Sequence, residues 1–159
     1  MEPVRFRQLV PLLERGFMDE SYYLRRAIEL AVHAHSLQVL KNGLPYITHP
    51  FHVMESMNTN DERAVAILHD VVEDTVVTMG ELRSKFPKEI CDAVEAITKL
   101  GGETYEAYIA RVYANPIARK VKVADIRHNL DLTRNHAVIM SVEKLNKYLW
   151  ALRLLEGRD

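Results

Sequence analysis

The sequence predicts a single all-α domain, and three observations carry that prediction. Apolar residues recur at helical spacing over most of the 159 residues. No segment sustains the period-two alternation of a half-buried strand. The breaks between apolar stretches carry caps, glycines and prolines where helices would start and stop. In chain order, Phe6, Leu9, Val10 and Leu13 suggest a short first helix ended near Gly16. Leu24, Ile28, Ala31, His35 and Val39 mark one face of a helix from about Asp19 to Val39. Lys41-Asn42-Gly43-Leu44-Pro45 is turn chemistry. His49-Pro50 opens the next element, since proline suits the first helical position and places His49 at or just before the helix start. Asp61 to Val72 fits a helix with Ala64, Val65, Ile67 and Leu68 on its buried side. Thr78 reads as an N-cap, with Glu81 completing a capping box, for a helix that stops near Phe86-Pro87. Another runs from about Pro87 to Leu100 and ends at Gly101-Gly102. Helices over Thr104 to Ala114 and Pro116 to about Arg134 follow. Val121-Lys122-Val123 has the composition of a short strand, but its flanks are helical. A last helix, about 141–156, carries Trp150 and the leucines of KYLWALRLLEG as a stripe that docks on the core, with a dimer contact as a further use.

Composition sets the bounds on function. A chain of this length fits one domain over residues 1–159, with its motif-bearing part at about 20–135. The net charge of −1 excludes a nucleic-acid binder built on a strong basic excess, so an anionic ligand must be met by local positive charge or by a metal. Cys91 is the only cysteine, which excludes an intramolecular disulfide and a cysteine-based zinc site and leaves this thiol as packing. No run approaches the roughly 18 apolar residues of a membrane span. The opening MEPVRFRQLVPLLERGF makes a poor signal peptide, so the expected location is the cytoplasm.

The chemistry concentrates in two segments. In Leu68-His69-Asp70-Val71-Val72-Glu73-Asp74-Thr75, a helix would set His69 one turn from Glu73 and Asp70 one turn from Asp74. Crowding acids beside a histidine at the C-terminal end of an apolar helix is unfavourable against the helix dipole. A divalent cation would compensate it, with imidazole nitrogen and carboxylate oxygen as donors; the alternative is an exposed acidic helix end with a half-buried histidine. In Val121–Asn129, Asp125 and Asn129 share a face beside Val121 and Leu132, where an aspartate wants either a cation or a salt bridge with a neighbouring Arg or Lys.

Taken in order, AVHAHSLQ, KNGLPYITHP, AILHDVVEDT, TMGELRSKF, ITKL and VKVADIRHNL resemble the HD-domain metal phosphohydrolases, in particular the hydrolase domain of the RelA/SpoT group and the single-domain small alarmone hydrolases. The matching stretches span roughly Tyr23 to Arg134. The doublet alone is unspecific; GLPYITHP followed by LHDVVEDT and KVADIRHN is not. The resemblance implies a compact HD-type helical bundle with metal ligands His49, His69, Asp70 and Asp125 and with Mn²⁺ or another divalent transition metal as cofactor. It implies Glu73 and Asp74 as the pair that activates and orients the attacking water, and Asn129, Lys41 and Lys99 as ligand-facing residues. The expected reaction is 3′-pyrophosphate hydrolysis of a (p)ppGpp-type alarmone. The partner is thus a small nucleotide, with no nucleic acid and no membrane; monomer and homodimer both stay open.

Two positions depart from the family's pattern. Leu40 and Asp131 stand where arginines are usual on the nucleotide side, and neither supplies a planar donor fork. A pppApp-type nucleotide, another nucleotide phosphohydrolase or phosphatase, and a non-catalytic nucleotide-binding module therefore remain alternatives. Lys41, Lys99, Lys122, Arg111, Arg127 and Arg134 are the candidate neutralisers of polyphosphate charge. Tyr46 is placed near the ligand or under a loop, and Tyr105 and Tyr108 along the pocket or over the core. His35 is read as a buried histidine bonded to a neighbour such as Gln38, and His128 as a residue that orients a neighbour rather than binding metal. His33 and His52 are assigned to the surface or to a supporting layer, His136 to the surface.

Overall fold

The computed structural model describes residues 21–131 and 140–157. The expected helix around Phe6–Leu13, and Leu132, Arg134 and His136, lie outside the described residues. The described residues form helices α1 (Tyr22–Ala34), α2 (Thr48–Glu55), α3 (Asn60–Leu68), α4 (Val71–Asp74), α5 (Met79–Lys85), α6 (Lys88–Ile97), α7 (Tyr105–Ala114), α8 (Pro116–Leu130) and α9 (Val142–Glu156). Among them the only β pairing is an isolated antiparallel bridge between Val39 and Pro45, so the fold is all-α as expected.

The core is built around α3. Ala64, Val65, Ala66, Ile67 and Leu68 are all completely buried, as a helix apolar on every side must be. It packs against α1, α2, α6 and α8. Its start is fixed by a full capping box: Thr59 Oγ1 accepts the Glu62 N–H, and the Glu62 carboxylate accepts the Thr59 and Asn58 N–H groups while pairing with Lys120 of α8. The sequence reading put such a box at Thr78 instead. There Thr78 does cap α5 by accepting the Glu81 N–H, but the Glu81 carboxylate turns to Lys85 one turn on.

Three boundaries differ from expectation in ways that shape the site. Helix α1 ends at Ala34 rather than Val39, because 38–46 fold back as a tight loop. Leu40 N–H donates to Leu44 O and Tyr46 N–H to Gln38 O, which brings Tyr46 towards α3. Helix α2 begins at Thr48, so Pro50 sits two residues inside it and His49 lies within the first turn. Helix α8, capped by Asn115 and started by Pro116, stops at Leu130 because Asp131 is extended at φ −70°, ψ 99°. The last helix docks through Ala151 and Leu155, both buried, while Trp150 stays 39% exposed with its ring 6.0 Å from that of Tyr105. The expected Trp-led docking stripe is thus replaced by a narrower one.

Candidate metal centre and active site

The continuous helix expected from Asp61 to Val72 is broken at its most informative point. Helix α3 closes at Leu68, and α4 starts at Val71. His69 keeps helical angles, but Asp70 sits at φ −102°, ψ −4°, a backbone region common at active sites. On a straight helix adjacent side chains diverge by about 100°. Here the two converge, with His69 Nε2 3.0 Å from Asp70 Oδ2.

The other two expected ligands arrive from elsewhere in the chain. His49, in the first turn of α2, places Nε2 3.7 Å from Asp70 Oδ2 and 3.1 Å from Asp125 Oδ1. Asp125, on α8, lies with Oδ1 3.8 Å from His69 Nε2. Donor atoms of His49, His69 and Asp70 all fall within 4.8 Å of one another, the spacing of ligands around one ion. Buried His69 Nε2 has no hydrogen-bond partner despite its closeness to Asp70, so the pair is arranged about a shared point rather than bonded to each other. Two imidazoles and two carboxylates suit a divalent cation.

Each donor is held from behind. His69 Nδ1 lies 2.6 Å from Ala66 O, an obligate acceptor, so Nδ1 carries a proton and Nε2 is the nitrogen turned to the acids, the one a cation would take in place of a proton. Tyr46 donates to Asp70 Oδ2 at 2.5 Å and reaches Asp74 Oδ2 at 3.3 Å. Asn129 Nδ2 donates to Asp125 Oδ1 at 2.7 Å, and Lys122 Nζ to Asp125 Oδ2 at 2.8 Å. His49 Nδ1 meets His128 Nδ1 at 2.6 Å, so the neighbour of His128 is His49. His35 donates from Nδ1 to Gln38 Oε1 at 2.8 Å, and Gln38 donates to Asp74 O at 2.7 Å, tying α1 to the acidic turn.

The electrostatics have one source. Burial would lift the Asp70 carboxyl, but the charge on His69 holds it at about 2. Burial would likewise lift Asp125, and the Lys122 ammonium, with the His49 and His69 imidazoles close by, keeps it well below the ordinary carboxylate range. Burial would lower His69, yet Asp70 and Asp125 push it well above an ordinary imidazole. The acids draw positive charge to the centre strongly enough to overcome desolvation, the pull a divalent ion would answer more fully. Burial and then Asp70 raise the Tyr46 hydroxyl far up, so it remains a donor.

Two cavities flank the centre. The larger, about 410 Å³, is lined by His69, Asp70 and Glu73, by Lys99, Lys122, Lys144 and Lys147, and by Tyr105, Tyr108 and Tyr148. The smaller, about 220 Å³, is lined by Leu40, Tyr46, His49, Asp125 and Asn129 and shares Asp70, Lys122 and Tyr148 with the first. Glu73 faces the larger cavity and accepts the Lys99 N–H at 3.0 Å, while burial and then Asp70 raise the Asp74 carboxyl.

The structure therefore brings His49, His69, Asp70, Asp125, Glu73, Lys99, Asn129 and Tyr46 together. Lys41 is exposed in the adjoining turn, and Leu40 is the residue that reaches the cavity wall. Arg111, expected to face the ligand, lines neither cavity. Its guanidinium bonds Glu103 and the carbonyls of Glu95, Ala96 and Thr98, clamping the end of α6. Arg127 turns to Glu156. Sequence reasoning missed Lys144, Lys147 and Tyr148, although their i, i+3, i+4 spacing shows that they share one face of the last helix.

The HD domain family profile matches residues 27–145. A probable GTP pyrophosphokinase of Mycobacterium leprae is 34% identical over 70% of the chain but only 16% of its own length. The bifunctional (p)ppGpp synthase/hydrolase SpoT of Escherichia coli is 32% identical over 70% of the chain and 18% of its own length. The chain thus spans less than a fifth of these bacterial relatives. The mouse guanosine-3′,5′-bis(diphosphate) 3′-pyrophosphohydrolase MESH1 is 32% identical over 87% of the chain and 86% of its own length. A solved structure of a metazoan ortholog of SpoT that hydrolyses ppGpp superposes at TM-score 0.70 with 24% identity, covering 86% of this chain and 87% of that one, a likeness of fold. No described helix is long and apolar enough to cross a membrane.

Proposed function

The chain belongs to the HD-domain family, and from that premise we propose that it is a metal-dependent phosphohydrolase acting on a (p)ppGpp-type nucleotide at its 3′-pyrophosphate. The observation that carries this reading is the convergence of His49, His69, Asp70 and Asp125, from three separate segments, beside Glu73 and a lysine-lined cavity. The names of the mouse and bacterial relatives support the substrate class. We take the whole chain as one catalytic domain, working in the cytoplasm.

A divalent ion on these four residues, Mn²⁺ in this reading, would polarise a phosphoryl oxygen and lower the pKa of a bound water. Glu73, facing the larger cavity, accepts the proton of the attacking water. Its second bond, to the Lys99 N–H, fixes the direction of its carboxylate. Asp74 orients from the rear through Tyr46, which touches both aspartates. Lys99, Lys122, Lys144 and Lys147 offset the charge of the two 3′ phosphates. Asn129 aligns Asp125 and also borders the smaller cavity, where the nucleoside end meets Leu40 and Tyr148.

A second reading rests on Leu40 itself. An aliphatic wall in the smaller cavity gives no bidentate grip on guanine or phosphate, which favours a different base, as in a pppApp-type substrate. The test is a screen of 3′- and 5′-phosphorylated guanosine and adenosine nucleotides with purified protein and Mn²⁺, following substrate loss and phosphate species. The proposal expects pyrophosphate from 3′-diphosphorylated guanosine. Orthophosphate release, or turnover of adenosine nucleotides alone, selects the second reading, and binding without turnover selects a regulatory module.

A further inference from the structure

His49 and His69 present Nε2 to the same point but are held there by chemically different groups. His69 Nδ1 faces the backbone carbonyl of Ala66, which can only accept. His49 Nδ1 faces His128 Nδ1 at 2.6 Å, and two ring nitrogens that close require one proton between them. The location of that proton decides whether His49 can bind a cation. If it resides on His128, the neutral His49 ring carries its own proton on Nε2, which then points an N–H at Asp125 Oδ1, 3.1 Å away, and offers no lone pair. If it resides on His49 Nδ1, Nε2 is a donor to metal, and neutral His128 accepts at Nδ1.

The geometry points to His128 as the positioning residue that sets the His49 tautomer, and this rests on the four-ligand metal centre proposed above. His128 is itself prearranged. It is buried on α8, and its ring lies near parallel to those of His49 (4.8 Å, 11°) and His52 (3.8 Å, 12°). His52, exposed on α2 one residue short of a turn from His49, covers the outer face of the His128 ring. The three near-parallel imidazoles run from the surface to the metal centre, His52 face-on to His128 and His128 edge-on to His49, so that the middle ring fixes the plane and proton of the innermost. Metal-ligating histidines routinely need such a partner on the second nitrogen, and losing it costs roughly 10–100-fold in metal affinity.

Calorimetric titration of Mn²⁺ into the wild type and two variants tests this. His128→Phe keeps a ring between His49 and His52 but cannot accept, and is expected to bind Mn²⁺ roughly 10–100-fold more weakly. His128→Asn keeps an acceptor near the position of Nδ1, and is expected to recover most of that loss. Equal affinity in His128→Phe and the wild type overturns the proposal and leaves the hydrolase reading standing, as does equal weakness in both variants. A wild type that binds no divalent ion overturns the metal centre itself. Imidazole ¹⁵N spectra of the wild type loaded with Zn²⁺ decide the matter even if a variant fails to fold. Nδ1–H on His49 with Nε2–H on His128 is the expected pattern, and Nε2–H on His49 contradicts it.

Discussion

The two sides of the catalytic cleft are built on opposite principles. The metal side is buried and cross-linked. His49, His69 and Asp125 are each under a tenth exposed, come from three segments, and are all fastened by further residues. The side proposed for phosphate adds to Lys99 and Lys122 a face of α9, whose Lys144 and Lys147 are exposed and whose attachment to the core runs through Ala151 and Leu155. The difference separates two tasks. In the proposed reading the metal ligands sit in the protein's core, where a substitution disturbs packing and charge together, whereas the lysines that would grip substrate sit on an exposed rim, where a substitution acts on the ligand alone.

Breaking the buried side gives the largest expected effects. His69→Ala or Asp125→Ala removes a donor and is expected to cost more Mn²⁺ affinity than the roughly 10–100-fold loss of a supporting partner, with hydrolysis abolished at ordinary metal concentrations. Titration calorimetry and turnover measured on the same samples check this. Glu73→Gln sharpens the division inside that side: kcat is expected to fall roughly 10²–10⁴-fold with Mn²⁺ affinity retained, since Glu73 acts on the water and stands outside the proposed ligand set.

On the rim, Lys144→Ala and Lys147→Ala should act on KM far more than on metal binding. A charge-assisted phosphate contact contributes about 1.5–3 kcal/mol, so a roughly 10–100-fold rise in KM is the upper range for each. If either variant lost metal instead, the two sides would not be separable.

The smallest effect concerns the frame beneath both. Burial would raise the Glu62 carboxyl, but Lys120 and the Asn58 and Thr59 N–H groups hold it below its ordinary value. Its contribution is therefore fully present above the unfolded-state pKa, about 4.3, and fades as pH falls through the folded value. Glu62→Gln is expected to lower stability by about 1 kcal/mol at pH 7, and the gap to the wild type should close in melts taken at progressively lower pH.

The same contrast explains what was readable in the sequence. His69 and Asp70 stood out by residue chemistry, since acids crowded beside a histidine at a helix end want a cation, whereas His49 and Asp125 came only with the combination of GLPYITHP, LHDVVEDT and KVADIRHN; the structure sets all four side by side. The break at Asp70 was not, since LHDVVED keeps helical periodicity on both sides and only tertiary convergence on His49 and Asp125 favours the kink. Arg111 could not be placed from sequence, because a guanidinium has the same local signature whether it faces phosphate or helix-end carbonyls, which it bonds here. Lys144, Lys147 and Tyr148 stayed hidden for a related reason: their shared face was visible, but where α9 lies depends on long-range docking through Ala151 and Leu155.

The most direct test of the central claim is anomalous diffraction from crystals soaked in Mn²⁺. A single manganese peak is expected within about 2.0–2.3 Å of His49 Nε2, His69 Nε2 and one oxygen each of Asp70 and Asp125, the ordinary range for such ligands. A peak bonded elsewhere, or none between the two histidines while the protein turns over nucleotide, contradicts it.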